Sequence, residues 1–277
     1  MQDKEMEWYW KANPDHTNPP TKKQIDPINL MTYAIGLTRP GTAVPKNNFV
    51  SDETGLVAFH DNITNPNRSS VFFRSSSFGS HNHMHADQNS FNFVSKGVNL
   101  LISGGYYDSY QTVHHSAVGR ATRFKNTLTF NGGIGQAEPE SNPTKPGNPL
   151  SSRSAYGRLV NFYEDGTRAV VTGDATAAYR GNYTNPLLTS AIRTVVYDKS
   201  EKVIVIYDYA SSATARKWEL NFNALADFSI TSSSSEMLSY NGASASIQVH
   251  GPSGQFTKTK DFPILPSGGY PTADQPT

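Results

Sequence analysis

Short runs of alternating hydrophobic and polar residues, separated by turn residues, dominate the chain from residue 55 onward. Side chains of a β-strand point to alternate faces, so these runs predict strands with one buried face. Turn residues such as Lys96-Gly97 join neighbouring runs as hairpins. More than ten strands with almost no helical periodicity predict an all-β fold, a large antiparallel β-sandwich. The predicted strands are 55–60, 70–74, 90–94, 98–102, 126–130, 155–163, 168–172, 192–197, 203–209, 217–222, 228–231 and 244–249.

The first 50 residues lack this alternation and are rich in proline, and within them only 28–37 has the pattern of a short helix. We interpret residues 1–50 as a linker and the remnant of a preceding helical domain. Residues 51–277 are interpreted as the antiparallel sandwich domain, truncated at its C-terminus because no strand pattern follows Gly251. Prolines and glycine predict an exposed loop over 138–149.

The charge balance narrows the classes of partner. Lys+Arg number 24 and Asp+Glu number 23, so no global field attracts nucleic acid or an anionic membrane. Neither a membrane-spanning apolar run nor a signal peptide is visible. The absence of cysteine excludes disulfides and thiolate zinc sites, and fits the cytoplasm or an oxidising compartment. The abundance of Tyr, Phe, Gly, Ser, Asn and Thr favours a periplasmic or secreted protein.

Histidines are concentrated in one part of the chain. Five of the eight lie within 35 residues, and three of these alternate along one short segment, where an extended backbone would place them on one face. Histidine titrates near neutral pH and is the commonest metal ligand, so the cluster favours acid–base chemistry or metal binding over a merely polar loop. The five are His81, His83, His85, His114 and His115.

An ordered set of motifs gives the chain a resemblance over roughly residues 70 to 210. It resembles the heparinase II/III-like region of polysaccharide lyases, and within that group the oligoalginate (alginate) lyase branch. Members pair an N-terminal (α/α) toroid with a C-terminal antiparallel β-sandwich. The resemblance therefore implies that this chain is the sandwich portion, with the toroid absent. The motifs are Phe73-Arg74-Ser75-Ser76, Phe78-Gly79-Ser80, 83–91, 100–107, His114-His115, Arg120, Thr122-Arg123, 125–130, Gly132-Gly133 and Gly135-Gln136.

The resemblance implies β-elimination of a uronic-acid-containing polysaccharide, with alginate or oligoalginate expected first. Such a lyase removes the C5 proton and protonates the departing glycosidic oxygen, so it needs a base, an acid and a clamp for the carboxylate. His83 maps to the family's sandwich-side catalytic histidine, with Asn82 as an amide donor beside it, whereas the main catalytic tyrosine belongs to the toroid. The expected substrate-binding residues are Gln88, Asn89, Tyr106, Tyr107, Arg74, Arg120 and Arg123, each of which has loop bracing or packing as its alternative role.

At the positions that hold the family's structural zinc, the sequence departs from that of better-known members. His85 matches one ligand position, but Ser103 and Lys125 occupy the other two. One ligand cannot hold zinc, since structural sites use about four. Two outcomes follow: the metal is absent and the Lys125 ammonium replaces its charge, or His114 and His115 join His85 around zinc or another divalent metal. The elimination itself requires no cofactor.

Other functions remain open at this stage. The chain has the composition of a non-catalytic carbohydrate-binding or scaffold module, and a glycosaminoglycan (heparin-like) lyase would need the same local chemistry. A metal-dependent hydrolase is disfavoured because paired carboxylates are not found. The expected partners are an acidic polysaccharide or oligosaccharide and the missing toroid domain, with neither nucleic acid nor a membrane span.

Overall fold

The computed structural model describes residues 44, 46–79, 83–104, 109, 112–138, 154–181, 185–251, 253–259 and 263–266. The chain divides into the units Met1–Asn47 and Asn48–Thr277, and the following concerns the second unit. The helix predicted over 28–37 and most of the loop predicted over 138–149 lie outside the described residues. Among those that are described, no helix is long and apolar enough to cross a membrane.

Antiparallel strands make up almost all regular structure in the described ranges, as predicted. Helical geometry there is confined to three short segments at 113–119, Thr122–Phe124 and Thr176–Ala178. The strands in chain order are β1 (Asn48–Ser51), β2 (Leu56–His60), β3 (Ser70–Arg74), β4 (Ser90–Ser95), β5 (Val98–Leu101), β6 (Leu128–Phe130), β7 (Arg158–Glu164), β8 (Arg168–Asp174), β9 (Arg180–Gly181), β10 (Asn185–Pro186), β11 (Ser190–Asp198), β12 (Val203–Ser211), β13 (Trp218–Leu220), β14 (Phe228–Ser232), β15 (Ser235–Tyr240) and β16 (Ala243–Gln248).

These strands form three larger sheets. The first is a meander in which β1 to β5 pair in chain order, and the second has the order β12-β11-β8-β7. The third joins β14, β15 and β16, while β6 pairs with β13 and β9 pairs with β10. Short hairpin turns join neighbours such as β4 and β5 or β7 and β8, whereas longer segments over 75–89 and 175–189 join β3 to β4 and β8 to β11.

The first two sheets share one hydrophobic core. Alternate residues of β8 and β11, among them Val171 and Val195, are fully buried in the same cluster as Phe59, Phe73 and Phe91 of the first sheet. Burial of each such side chain contributes about 1.5–3 kcal/mol. The third sheet adds further buried residues to this cluster. The predicted antiparallel β-sandwich is therefore confirmed.

Strands β6 and β15 differ from the prediction for physical reasons, and β1, β9 and β10 were not predicted either. Strand β15 was not predicted, because its inward positions are Glu236 and Leu238 and a buried glutamate breaks the hydrophobic alternation. Burial raises the pKa of Glu236 to about 6. Strand β6 begins two residues later than predicted, since Asn126 has a left-handed φ of 50°. Its amide donates to the carbonyl oxygens of Phe91 and Ile102 and makes a corner before the strand.

Candidate active site

The loop between β3 and β4 carries the histidine motif and spans residues 75–89. We call it the histidine loop. His83 is exposed, whereas residues 86–90 after it are all buried. Asn82 and His81 lie outside the described residues, as do Tyr106 and Tyr107, so their predicted roles stay predictions. The exposed histidine therefore stands at the start of a segment that leads directly into the sandwich core.

Arg120 holds this loop at Met84, the residue after His83. Its side chain is 1% exposed, and its Nε and Nη2 donate to the carbonyl oxygen of Met84 at 3.0 and 2.6 Å. The backbone completes the attachment, because the Ala86 amide donates to the Arg120 carbonyl at 3.0 Å. The guanidinium therefore fixes the peptide between Met84 and His85, one residue after His83.

Asp87 anchors the middle of the loop through an ion pair. Arg74 Nη1 lies 2.7 Å from Asp87 Oδ2, and Lys125 is buried nearby with 1% exposure. Burial raises the pKa of Asp87, while the charges of Arg74 and Lys125 oppose that rise. Burial also lowers the pKa of Lys125 to about 8, although Asp87 acts in the other direction. The charges of Arg74 and Lys125 thus act on the Asp87 carboxylate, and those of Arg74, Arg120 and Lys125 all act on His85.

Gln88 is held through its backbone and its side chain. Its amide donates to Gln136 Oε1 at 2.8 Å, and Gln136 Nε2 donates to the Gln88 carbonyl at 2.7 Å. The Ser76 amide donates to Gln88 Oε1 at 2.6 Å, while Gln88 Nε2 is buried without a hydrogen-bond partner among the described residues. These bonds tie the loop to the segments on both sides of it.

Asn89 ends the loop and links the two main sheets. It adopts a left-handed φ of 56°, and its Nδ2 donates to the carbonyl oxygens of Gly173 and Ala191 at 3.0 and 3.2 Å. Arg193 Nη1 donates in turn to the Asn89 carbonyl at 2.8 Å. The amide and the arginine together connect the loop to strands β8 and β11.

Sequence reasoning missed Arg193 and its partner. The guanidinium is 1% exposed and binds Asp208 through two nitrogens, with Nε to Oδ1 at 2.7 Å and Nη2 to Oδ2 at 2.8 Å. Its Nη1 also reaches the Asn126 carbonyl, and its charge lies 5.6 Å from the centre of the Phe91 ring. A signal was present, because residue 193 falls at an inward position of a predicted strand, where an arginine requires an internal partner.

The described residues near His85 do not supply the donor set that zinc requires. Burial and the charges of Lys125 and Arg120 lower the pKa of His85 to about 2, so a cation already occupies its surroundings. Ser103 Oγ lies 3.5 Å from Asn92 Oδ1 rather than beside His85. No group of three or more His, Cys, Asp or Glu side chains with metal-binding geometry occurs in the described ranges.

The remaining described candidates are His114, His115 and Arg123. His114 and His115 are buried, and His114 Nδ1 lies 2.6 Å from the Ile264 carbonyl oxygen. Arg123 is exposed and lies 5.7 Å from the centre of the Phe124 ring. The structure thus gathers Arg74, Arg120, Gln88, Asn89 and His85 at the loop. The substrate-binding roles expected for these residues stay predictions.

This arrangement combines the exposed His83 with nearby positive charges. An imidazole can serve as a base or an acid, and the backbone of His83 is continuous with a segment fixed by buried side chains. Arg74, Arg120 and Lys125 all lie close enough to His85 to lower its pKa, so positive charge is concentrated at this loop. Such a site suits acid–base chemistry on an acidic substrate.

Comparisons with known proteins agree with the β-sandwich fold. Residues 43–273 match the family model described as heparinase II/III-like, C-terminal. The match to a solved heparinase III structure has a TM-score of 0.55 at 13% identity. It covers 72% of this chain and 27% of the heparinase III chain. Heparan sulfate lyase HepC from Pedobacter heparinus has a TM-score of 0.54 at 14% identity, with coverages of 87% and 33%. The chain thus spans about a third of these structures. No curated protein matches it significantly.

Proposed function

Because the chain belongs to the heparinase II/III-like C-terminal family, we propose that it forms the β-sandwich half of the active cleft of a polysaccharide lyase. The proposed reaction is β-elimination at a uronic acid residue. The single observation that carries the proposal is the exposed His83 at the start of a loop held by the buried Arg120 and the Arg74–Asp87 pair. A helical toroid, expected from the family resemblance, would supply the other half of the cleft.

The chemistry explains why such a histidine should be held in place. The C5 proton of a uronate becomes acidic only when the neighbouring carboxylate is neutralised, so the base and the positive charges must face one sugar unit. His83 would exchange the proton, and the cations close to the loop would favour the carboxylate. Positioning matters because misplacing a catalytic group by about 1 Å can cost about 10²-fold in rate. Arg120 supplies that positioning by holding the Met84 carbonyl.

Two substrate classes fit this chemistry. We propose alginate or oligoalginate first, on the resemblance of the histidine motif to that branch. A glycosaminoglycan is the second candidate, because the similar solved structures are titled heparinase III and heparan sulfate lyase. Both classes present uronates, and both are met outside the cytoplasm, so we also propose a periplasmic or secreted location.

The test is to assay the full-length gene product on alginate, heparan sulfate and a neutral glucan. Elimination creates a conjugated double bond, so ultraviolet absorbance should rise with an acidic polymer and not with the glucan. His83→Ala should lower turnover by about 10²- to 10⁴-fold. His250→Ala is the matched control, since His250 is exposed and distant in sequence from the loop. The 277-residue chain alone should be nearly inactive.

Two results would overturn the proposal. The first is a His83→Ala enzyme that keeps most of its rate, which would remove His83 from the chemistry. The second is saturable binding of acidic polymer without any unsaturated product, which would favour the non-catalytic carbohydrate-binding module. Activity on only one acidic polymer would decide between the two substrate classes.

We also propose that the histidine loop is stabilised without zinc, by the charge of Lys125. The supporting observation is the burial of Lys125 within the cluster of His85, Asp87 and Arg74. Protein purified without added metal should then contain well under one equivalent of zinc, and a chelator should leave Tm unchanged. Stoichiometric zinc that disappears after His114→Ala or His115→Ala would instead assign the metal to those histidines and contradict the proposal.

A further inference from the structure

A second concave site lies on the sandwich, apart from His83. It is a cavity of about 230 Å³ formed where the start of β7 meets the end of β8 and the turn at 176–180. Its wall includes Tyr156, Arg158, Asp174 and Arg180. Drug-sized ligands occupy pockets of about 300–1,000 Å³, so this cavity suits one small ring rather than a chain of several.

The walls of this cavity adjoin the loop that carries His83. The Gly157 amide, between two wall residues, donates to the Ser76 carbonyl at 2.8 Å. A Cβ at Gly157 would lie only 2.9 Å from Gln88 Oε1, so only glycine permits this approach. Beside Asp174 of the wall, the Gly173 carbonyl oxygen accepts from Asn89 Nδ2. Residues next to the wall are therefore bonded to both ends of the histidine loop, at Ser76 and at Asn89.

The charges on the wall do not cancel. Arg158 donates through Nε and Nη2 to Asp174 Oδ2 at 3.3 and 2.9 Å, which neutralises both groups. Arg180 uses only Nε, which donates to the Ala177 carbonyl at 2.8 Å. Its two terminal nitrogens have no hydrogen-bond partner among the described residues. A guanidinium with free terminal nitrogens leaves the cavity with a net positive charge and two donors suited to an oxyanion.

An aromatic ring completes the site. Tyr156 lines the cavity and is 40% exposed. A tyrosine ring offers a rigid apolar surface with a polar hydroxyl at its edge, which matches the mixed apolar and polar faces of a sugar ring. Tyr156 and Arg180 thus present complementary features to one acidic sugar unit.

We propose that this cavity is a further subsite that binds an acidic sugar unit of the polysaccharide, with Arg180 binding its carboxylate or sulfate and Tyr156 packing on its ring. The inference rests on the proposed function for the identity of the polymer. It goes beyond that function by assigning substrate binding to residues that lie outside the histidine loop. Arg180 and Tyr156 bind in this account and take no part in proton transfer.

The test measures affinity separately from chemistry. In the full-length gene product carrying His83→Ala, we would titrate short oligomers of alginate, of heparan sulfate and of a neutral glucan by calorimetry. Charge-assisted hydrogen bonds contribute about 1.5–3 kcal/mol, so Arg180→Ala should weaken binding of an acidic oligomer by about 10- to 100-fold. Binding of the neutral oligomer should not change. An effect on the sulfated oligomer alone would identify sulfate as the bound group, and an equal effect on both would identify the carboxylate.

Arg168 provides the matched control. It lies on β8, is 61% exposed at its side chain and pairs with Asp198, much as Arg158 pairs with Asp174, but it lies outside the cavity. Arg168→Ala should leave the affinity for the acidic oligomer unchanged. Equal affinities for the Arg168→Ala and Arg180→Ala proteins, both with unchanged melting temperature, would overturn the subsite.

Kinetics of the enzyme with His83 intact separate the two proposals. Arg180→Ala should raise KM for a long acidic substrate and leave kcat nearly unchanged, because the lost contact binds ground state and transition state alike. Arg180→Lys should restore part of the affinity, since it keeps the charge and loses the fork. If no unsaturated product forms but acidic oligomers still bind through Arg180, the subsite stands and the lyase proposal fails. If product forms and Arg180→Ala changes neither KM nor affinity, the subsite fails and the lyase proposal stands.

Discussion

The histidine loop and the neighbouring cavity contain the same side chain, arginine, in opposite surroundings. Arg120 and Arg193 are 1% exposed and donate to backbone carbonyls and, for Arg193, to Asp208. Arg158 is largely exposed at its side chain, and Arg180 keeps terminal nitrogens without partners among the described residues. Burial, rather than residue type, therefore separates the arginines that fix the loop from Arg180, whose terminal nitrogens can meet a ligand.

The same contrast explains how three carbonyl groups in or beside the histidine loop are hydrogen-bonded. A buried carbonyl without a donor costs about 1–3 kcal/mol, so Met84, Asn89 and Asn126 each need a partner inside the protein. Arg120 and Arg193 supply those donors. An exposed arginine gains far less from its ion pair, because water competes for both charges. Substitution of buried and exposed arginines should therefore give very different losses of stability.

The largest expected effect is at Arg193. Arg193→Met removes the donor of two buried carbonyls and leaves Asp208 without its ion pair, so the free energy of unfolding should fall by about 3–5 kcal/mol. Arg168→Met, the exposed control, should lower it by less than about 1 kcal/mol. Denaturant unfolding of the two variants beside the unmodified protein measures both values. Equal losses at the two positions would contradict the contrast between buried and exposed arginines.

Asn89 should give the next largest effect. Asn89→Ala removes the two hydrogen bonds to Gly173 and Ala191 and forces a φ of 56° on alanine, so we expect a loss of about 2–4 kcal/mol. Asn89→Gly removes the same hydrogen bonds but tolerates that φ, and its loss should be smaller by about 1 kcal/mol. The midpoints of denaturant unfolding compare the two. An alanine variant as stable as the glycine variant would show that the strained backbone relaxes.

The sequence predicted the sandwich well because alternation reports the burial of strand faces directly. Predicted strands over 70–74, 90–94 and 203–209 coincide with β3, β4 and most of β12. Strand β15 was missed because its inward Glu236 imitates an exposed position. Local patterns therefore locate strands wherever inward residues are apolar, and fail where a buried charge interrupts the pattern.

The candidate site could be predicted only in part. The histidine motif and its neighbours located the loop, but a linear pattern does not show that Arg120 turns inward to Met84. The cavity had no local signal, because Tyr156 and Arg180 come from separate segments that meet only in the folded sheet. Residues that act from one segment are visible in a sequence, whereas residues that converge through tertiary structure are not.

The smallest expected effect is on the pH dependence of stability. It contrasts a buried histidine with an exposed one. His60 is 6% exposed, and its Nδ1 lies 2.7 Å from Ser70 Oγ. Burial, together with the positive charge of Arg68, lowers the pKa of His60 to about 4. His250 is exposed and serves as the comparison. A buried histidine with a lowered pKa stabilises the folded state only while it is neutral.

The sign of the pH dependence follows from the two states. Above a pH of about 6.5 His60 is neutral both folded and unfolded, so its contribution to stability is complete. As the pH falls from 6.5 towards 4, the unfolded chain binds a proton at His60 and the folded chain does not, so stability falls by about 1.4 kcal/mol per pH unit. We expect a loss of about 1 kcal/mol between pH 7 and pH 5.5 from this residue.

His60→Gln tests this expectation, since glutamine keeps a polar side chain near Ser70 and does not titrate. The variant should be less stable than the unmodified protein at pH 7, and the difference should shrink as the pH is lowered to 5.5, because only the unmodified protein loses the His60 contribution. His250→Gln should leave the slope of unfolding free energy against pH unchanged. Carboxylates and His85 titrate equally in all three proteins, so the comparison isolates His60. Parallel slopes for His60→Gln and the unmodified protein would mean that buried His60 accepts its proton as readily folded as unfolded, and that burial does not distinguish these histidines as it distinguishes the arginines.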